Sequence, residues 1–178
     1  MAAILMDATG LHRTVIRLSH EIEERNEGFD NIALVGVKRG GEIVAKRIQS
    51  YIRNSEGIEL PCAGLDIGMT RDDLVTSSVV PDCVKNELGF SVDGKVIILC
   101  DDVLFTGRSA VAGVEALFRL GRPKKIQLLV LVDRGGREVP VRADYVGKNV
   151  PTSKDEYIEV CFEELGAPDK FAIVKGKK

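Results

Sequence analysis

No apolar run in this sequence is long enough to cross a bilayer. The longest, "KIQLLVLV" and "KVIILC", span less than half of the required length. The N-terminus "MAAILMDATG" lacks a basic stretch followed by a long apolar core, so no signal peptide is expected. Metal-ligand spacing is missing among the four cysteines, Cys62, Cys83, Cys100 and Cys161, which lie far apart. That argues against a zinc site or a disulfide framework and for free thiols in a cytoplasmic protein. A strong net charge is also missing. The balance is −2, which gives no global attraction to nucleic acid or to a membrane surface. There is no internal repeat and no low-complexity tract.

What remains is a chain of 178 residues, 44% hydrophobic and 29% charged, a size and composition suited to one domain over 1–178. Asp7 is a good N-cap for a helix over 7–26, with Leu11, Val15, Leu18 and Ile22 at helical spacing. "NIALVGV" reads as a buried strand, and "GGEIVAKRIQSYIR" as a helix with Val44, Ile48 and Ile52 on one face. "PCAGLDIGM" reads as a strand. Residues 66–94 mix Ser, Pro, Gly and charge from about position 72 and are expected to form a flap. "KVIILC" is a strand, 107–121 a helix stopped by Gly121 and Pro123, and "KIQLLVLV" a strand. Weaker strands are expected near 143–147, 157–162 and 170–174. Continuously apolar strands alternating with helices predict an α/β fold, a mostly parallel twisted sheet covered on both faces. Ligands then bind beyond the carboxyl ends of the strands.

Three strand ends carry chemistry. After 31–37 comes "KRGG": Lys38 and Arg39 offer cations, and Gly40 and Gly41 expose N–H groups where a helix begins, which suits an anion. A plain strand-to-helix turn would read the same way. After "KVIILC" comes "DDVLFTGRS". Two adjacent carboxylates, Asp101 and Asp102, repel each other and are not expected in a core. Vicinal sugar hydroxyls or a bound Mg²⁺ would offset them. Thr106, Gly107, Arg108 and Ser109 supply hydroxyls and N–H groups at a helix N-terminus, a cradle for a phosphate monoester. Together they match a ribose 5-phosphate. After 126–132 comes "DRGGRE", where Asp133 and Arg134 could flank a base or form a solvated turn.

"VIILCDDVLFTGRSA" resembles the phosphoribosyl-pyrophosphate signature of the type I phosphoribosyltransferases. "RLSHEIEERN", "LDIGMTRDDL" and "LGRPKKIQLLVLVDRGGREVPVRADYVGKNVPTSK" are similar to the PyrR group within that family, over nearly the full chain. The resemblance implies the type I phosphoribosyltransferase fold and transfer of a phosphoribosyl group from phosphoribosyl pyrophosphate (PRPP) to uracil, with Mg²⁺. UMP and pyrophosphate would be the products. It implies that Asp101 and Asp102 hold the ribose hydroxyls and help hold the metal, largely through PRPP oxygens and water. Leu104, Phe105 and Thr106 to Ser109 would form the phosphate loop. Lys38 to Gly41 would take pyrophosphate, often through a cis peptide. Arg71 would belong to the flap and act in catalysis, and Val132, Asp133 and Arg134 would lie near the base. Homodimers or higher oligomers are implied.

The group also binds a leader RNA hairpin of pyrimidine genes, strengthened by UMP or UTP. The positions implied for RNA here are Arg17, His20, Arg137 and Arg142. This chain departs from the pattern at Ile16, at Arg39 and at Gly136, where the group carries threonine, threonine and histidine. Its pyrophosphate loop reads Lys-Arg-Gly-Gly instead of Lys-Thr-Arg-Gly, and Thr70 stands where the group has tyrosine. Two alternatives stay open: an RNA-binding regulator with little turnover, and a transferase for a purine base.

Overall fold

The computed structural model describes residues 3–68, 88–153 and 155–176. In chain order the elements are β1 (Ala3–Asp7), α1 (Ala8–Asn26), β2 (Ile32–Val37), α2 (Gly40–Glu56), β3 (Cys62–Leu65), β4 (Val96–Leu104), α3 (Arg108–Leu120), β5 (Lys125–Asp133), β6 (Tyr145–Asn149), β7 (Glu156–Cys161) and β8 (Lys170–Lys175). Five strands form a parallel sheet in the order β3-β2-β4-β5-β6. Helices α1 and α2 bury their apolar stripes on one face, with Leu11, Leu18, Ile22, Val44, Ile48 and Ile52 against Leu34, Ile98 and Leu129. Helix α3 covers the other face, with Ala110 and Leu117 against Val35, Leu99 and Val130. A sheet buried on both faces explains why its strands read as continuous apolar runs.

The N-terminal cap holds as expected: the Asp7 carboxylate accepts the Gly10 N–H at 2.8 Å. One expectation is corrected. "KVIILC" does not end at the aspartates, because β4 runs on to Leu104. Its pairing with β5 continues through Asp101↔Val130 and Leu104↔Asp133, and backbone pairing, not side-chain charge, sets a strand's end. Of the three C-terminal strands, which the sequence leaves unassigned to a sheet, only β6 extends the parallel one. β7 and β8 join β1, a strand the hydrophobic pattern does not announce, in an antiparallel sheet of order β1-β8-β7. Of the stretch expected as a flap, residues 69–87 lie outside the described residues. Leu88 and Val92, at its far end, are buried under α3.

The small sheet is tied to α2 by Arg47. Its guanidinium forks to Glu164 (2.8 and 2.6 Å) and to Asp169 (2.6 and 2.8 Å), and stacks over Phe162 at 5.3 Å. These bonds hold both carboxyls below the usual carboxylate range. Such a pair stabilises the fold above the unfolded carboxyl value near 4 and loses that contribution as pH falls through the depressed folded values. Arg47→Met should cost about 2 kcal/mol at pH 7, less than the 3–5 kcal/mol of a fully buried pair. The expected fall in Tm is about 4–8 °C. In melts repeated near pH 3 the gap between variant and parent should narrow. A gap that stays constant would exclude the ion pairs as its source.

Candidate functional site

Strands β2 and β4 are neighbours, yet the chain leaves β2 through α2 towards β3 on one side and leaves β4 through α3 towards β5 on the other. The carboxyl ends of β2 and β4 therefore flank a switch point, the usual crevice for ligands in such sheets. Both following helices begin there. Their cap residues, Arg39 and Gly107, supply no side-chain acceptor to the first turn, so the partial positive ends of two helices open on one crevice.

The two strand tips touch. A Cβ added to Gly40 would overlap Oδ2 of Asp102, and one added to Gly41 would overlap the Cys100 carbonyl oxygen and lie 3.0 Å from Asp101 Cα. Glycine is needed at both positions for the 38–41 loop to lie against the acidic pair. The Lys38–Arg39 peptide is cis, and both side chains are exposed. On β4, Asp101 is 9% exposed, so the expectation that neither aspartate is a core residue is corrected for this one. Its Oδ1 accepts the Asp102 N–H at 3.0 Å, and Asp102 Oδ1 accepts the Val103 N–H at 2.8 Å. These local bonds let two adjacent carboxylates persist side by side in the last residues of β4.

The turn at 105–107 rests on the loop after β5. The buried Thr106 accepts N–H bonds from Glu138 (2.9 Å) and Val139 (3.3 Å) at its carbonyl, and its Oγ1 accepts the Arg108 N–H at 3.3 Å. Gly107 takes φ 92°. Arg108 pairs with Glu138 at 2.8 Å, a partner that nothing in the local sequence singles out. Leu104 is buried, whereas Phe105 is 38% exposed.

Of the residues expected near a base, Val132 is fully buried in β5. Asp133 spends its carboxylate on the Gly135 N–H at 2.9 Å and on Arg137. Arg134 turns away from solvent. It donates to Thr152 Oγ1 at 2.8 Å and to the Glu156 carbonyl at 2.6 Å, and lies over the Phe105 ring at 3.9 Å from its centroid. No role is expected of Thr152 from the sequence, and its place in "PTSK" gives no sign of this contact. Arg71 lies outside the described residues.

A model described as the phosphoribosyl transferase domain matches residues 4–164. The chain belongs to this family. Within it the chain belongs to the PyrR group. The Bifunctional protein PyrR of Caldicellulosiruptor bescii is 50% identical over 169 residues, 95% of this chain and 93% of that protein. That of Clostridium beijerinckii is 46% identical over 173 residues, 97% of each chain. Among solved structures, a hypoxanthine-guanine phosphoribosyltransferase of Bacillus anthracis superposes with a TM-score of 0.71, at 22% identity over 97% of both chains. A hypoxanthine phosphoribosyltransferase of Trypanosoma cruzi gives 0.73 at 18% identity, over 97% of this chain and 90% of that one. At such identities the superpositions speak for the fold.

In this phosphoribosyltransferase the positions implied for RNA are spread out. Arg17 donates to the carbonyls of Gly147 (2.7 Å) and Val146 (3.2 Å) and pairs with Glu21. His20 meets the Tyr51 hydroxyl at 3.0 Å. Arg142 is exposed. Arg137 binds inward, to the carbonyls of Phe105 (2.7 Å) and Val141 (3.1 Å) and to Asp133. Gly136 takes φ 77°, and a Cβ there would lie 2.5 Å from Cε2 of Phe105, so histidine would be strained and would have to displace the Phe105 ring. Among the described residues, no helix is long and apolar enough to cross a membrane.

Proposed function

We propose that the protein transfers the phosphoribosyl group of PRPP to uracil, giving UMP and pyrophosphate, with the whole chain acting as one domain and 66–94 including the flap. The observation that carries this reading is the contact between Gly40 and Asp102, which puts an acidic pair and two helix N-termini in one crevice. Asp102, with Asp101 behind it, takes the ribose hydroxyls. The 5′-phosphate sits on Thr106 to Ser109, with Leu104 and Phe105 leading into that turn. Lys38, Arg39 and the N–H groups of Gly40 and Gly41 take pyrophosphate, with Arg71 assigned to the same leaving group.

As the C1′–O bond breaks, positive charge grows on the ribose beside the carboxylates and negative charge on pyrophosphate beside the cations and the α2 N-terminus. No covalent protein intermediate is needed. Burial pushes the Cys62 thiol up to about 11 and holds Cys100 well above its usual value, so neither is a nucleophile at neutral pH.

The donor set suits Mg²⁺. Asp101 and Asp102 offer hard oxygens, while among the described residues no cluster of three or more His, Cys, Asp or Glu forms a protein cage. An ion would be held mainly by PRPP oxygens and water, with these carboxylates beside it, and would supply neutralisation of the leaving charge. Uracil-dependent release of pyrophosphate from PRPP in the presence of Mg²⁺ tests the reading. Turnover with hypoxanthine or guanine but not with uracil would transfer the protein to the purine class.

A second reading, a UMP- or UTP-strengthened RNA-binding attenuator, draws on Arg17, whose side chain on α1 stays 46% exposed, and on the exposed Arg142. His20 and Arg137 make internal contacts, and Arg137 in particular is spent on its own loop. Binding of a pyrimidine-leader hairpin that weakens with salt and tightens with UMP would support it; equal binding of a scrambled hairpin would count against it. We assign the working form to a homodimer or higher homo-oligomer in the cytoplasm.

A further inference from the structure

Arg134 is a buried cation, 8% exposed, and the partners it has are neutral: the Thr152 hydroxyl, the Glu156 carbonyl and the Phe105 ring. Among the described residues no carboxylate hydrogen-bonds to it, and the Glu156 carboxylate offsets its burial only from a distance. The nearby charges are occupied elsewhere. Asp133 is taken by Arg137 and the Gly135 N–H, Glu156 turns its carboxylate to the Ser153 N–H at 3.0 Å, and Glu138 pairs with Arg108. Asp101 and Asp102 stand on β4, bonded to backbone N–H groups. Burial accordingly pulls the Arg134 value down from its usual range. A desolvated guanidinium matched by neutral acceptors is costly unless something anionic forms nearby. The Phe105 ring it stacks on follows the acidic pair and precedes the phosphate turn in the chain, and is left 38% exposed.

We propose that Arg134 is a positioning residue that favours the N1-deprotonated form of the uracil ring, acting across Phe105. This rests on the uracil transfer set out above. For that transfer the N1–H proton goes to water, the N1–C1′ bond forms, and the C1′–O pair leaves with pyrophosphate. A uracil in contact with Phe105 lies about 7 Å from the Arg134 charge, and at an effective dielectric near 20 one unit charge at that distance shifts an anion's equilibrium by about fiftyfold.

The test compares kcat/KM for uracil and for 5-fluorouracil, whose ring N–H is more acidic, in the parent, Arg134→Gln and Arg134→Lys. With uracil, Arg134→Gln should lose about fiftyfold, the electrostatic effect of one charge at this range. With 5-fluorouracil the loss should be several times smaller, and Arg134→Lys should recover most of the uracil rate. Equal losses on both bases would mean that Arg134 only holds the loop, and would overturn the proposal. Should Arg134→Gln fold poorly, the ultraviolet difference spectrum of 5-fluorouracil bound to the parent gives an independent reading. Ring ionisation at lower pH than in free solution supports the proposal, and ionisation at the same pH refutes it. A parent protein that turns over no uracil at all would instead remove the underlying reading, which the pyrophosphate assay reports separately.

Discussion

Gly41→Ala is expected to lower phosphoribosyl transfer by about two orders of magnitude while leaving a destabilised but folded chain. The added methyl group would overlap the Cys100 carbonyl oxygen, and the next atom it meets is Asp101 Cα at 3.0 Å. Both are backbone atoms of the central strand, so neither can rotate away. The 38–41 loop must lift off the tip of β4. Overpacking of this kind costs about 1–3 kcal/mol. The larger effect falls on activity, because a displacement of about 1 Å between reacting groups costs on the order of 10²-fold. Gly57→Ala is the matching control. Gly57 ends α2 with φ 70° and nothing within 4 Å of an added Cβ, so that variant should lose about 1 kcal/mol of stability and no activity. Thermal melts and the pyrophosphate assay on both variants decide the matter. Equal activity in Gly41→Ala and the parent would mean that the loop does not have to touch β4 during transfer.

The second large effect separates the two aspartates. Asp102→Asn should lower kcat/KM by about 10²–10³, the usual cost of removing one preorganised electrostatic partner. Its stability should change little, since Asp102 is only partly buried and asparagine keeps the oxygen that accepts the Val103 N–H. Asp101→Asn also keeps an acceptor for the Asp102 N–H, but it buries two amide hydrogens where the carboxylate had none. Those hydrogens need acceptors, and leaving them without costs about 1–3 kcal/mol. The expected pattern is therefore activity lost with Tm held in Asp102→Asn, and both lost in Asp101→Asn. Loss of Tm in the first alone would reverse the assignment of which carboxylate faces the sugar.

Much of the site is legible in the amino-acid sequence, because its signals are local. Asp101 and Asp102, the Thr106 to Ser109 turn and the glycines of "KRGG" announce themselves within a few residues of chain. The parts that escape depend on distant partners. β1 is five residues of mixed exposure, and what makes it a strand is pairing with Phe171 and Ile173 at the far end of the chain. The extension of β4 past its aspartates depends on β5 continuing alongside. The direction of a long side chain is equally hidden. Arg134 and Arg137 look alike in "DRGGRE", and both bind inward, one across Phe105 to the 152–156 segment and the other to the carbonyls under the phosphate turn.

β6 is the outermost strand of the parallel sheet, and an outer strand normally offers bare backbone groups on which another chain can template. Here cations are laid along it. Arg25 binds the Asp144 carbonyl just before the strand begins, and Arg17 reaches those of Val146 and Gly147. An incoming strand would have to displace these guanidinium groups before it could add to the sheet. Strand-to-strand polymerisation at this border is thereby discouraged, and the protein's tolerance of high concentration depends in part on α1, the helix whose apolar stripe also packs on this face of the sheet.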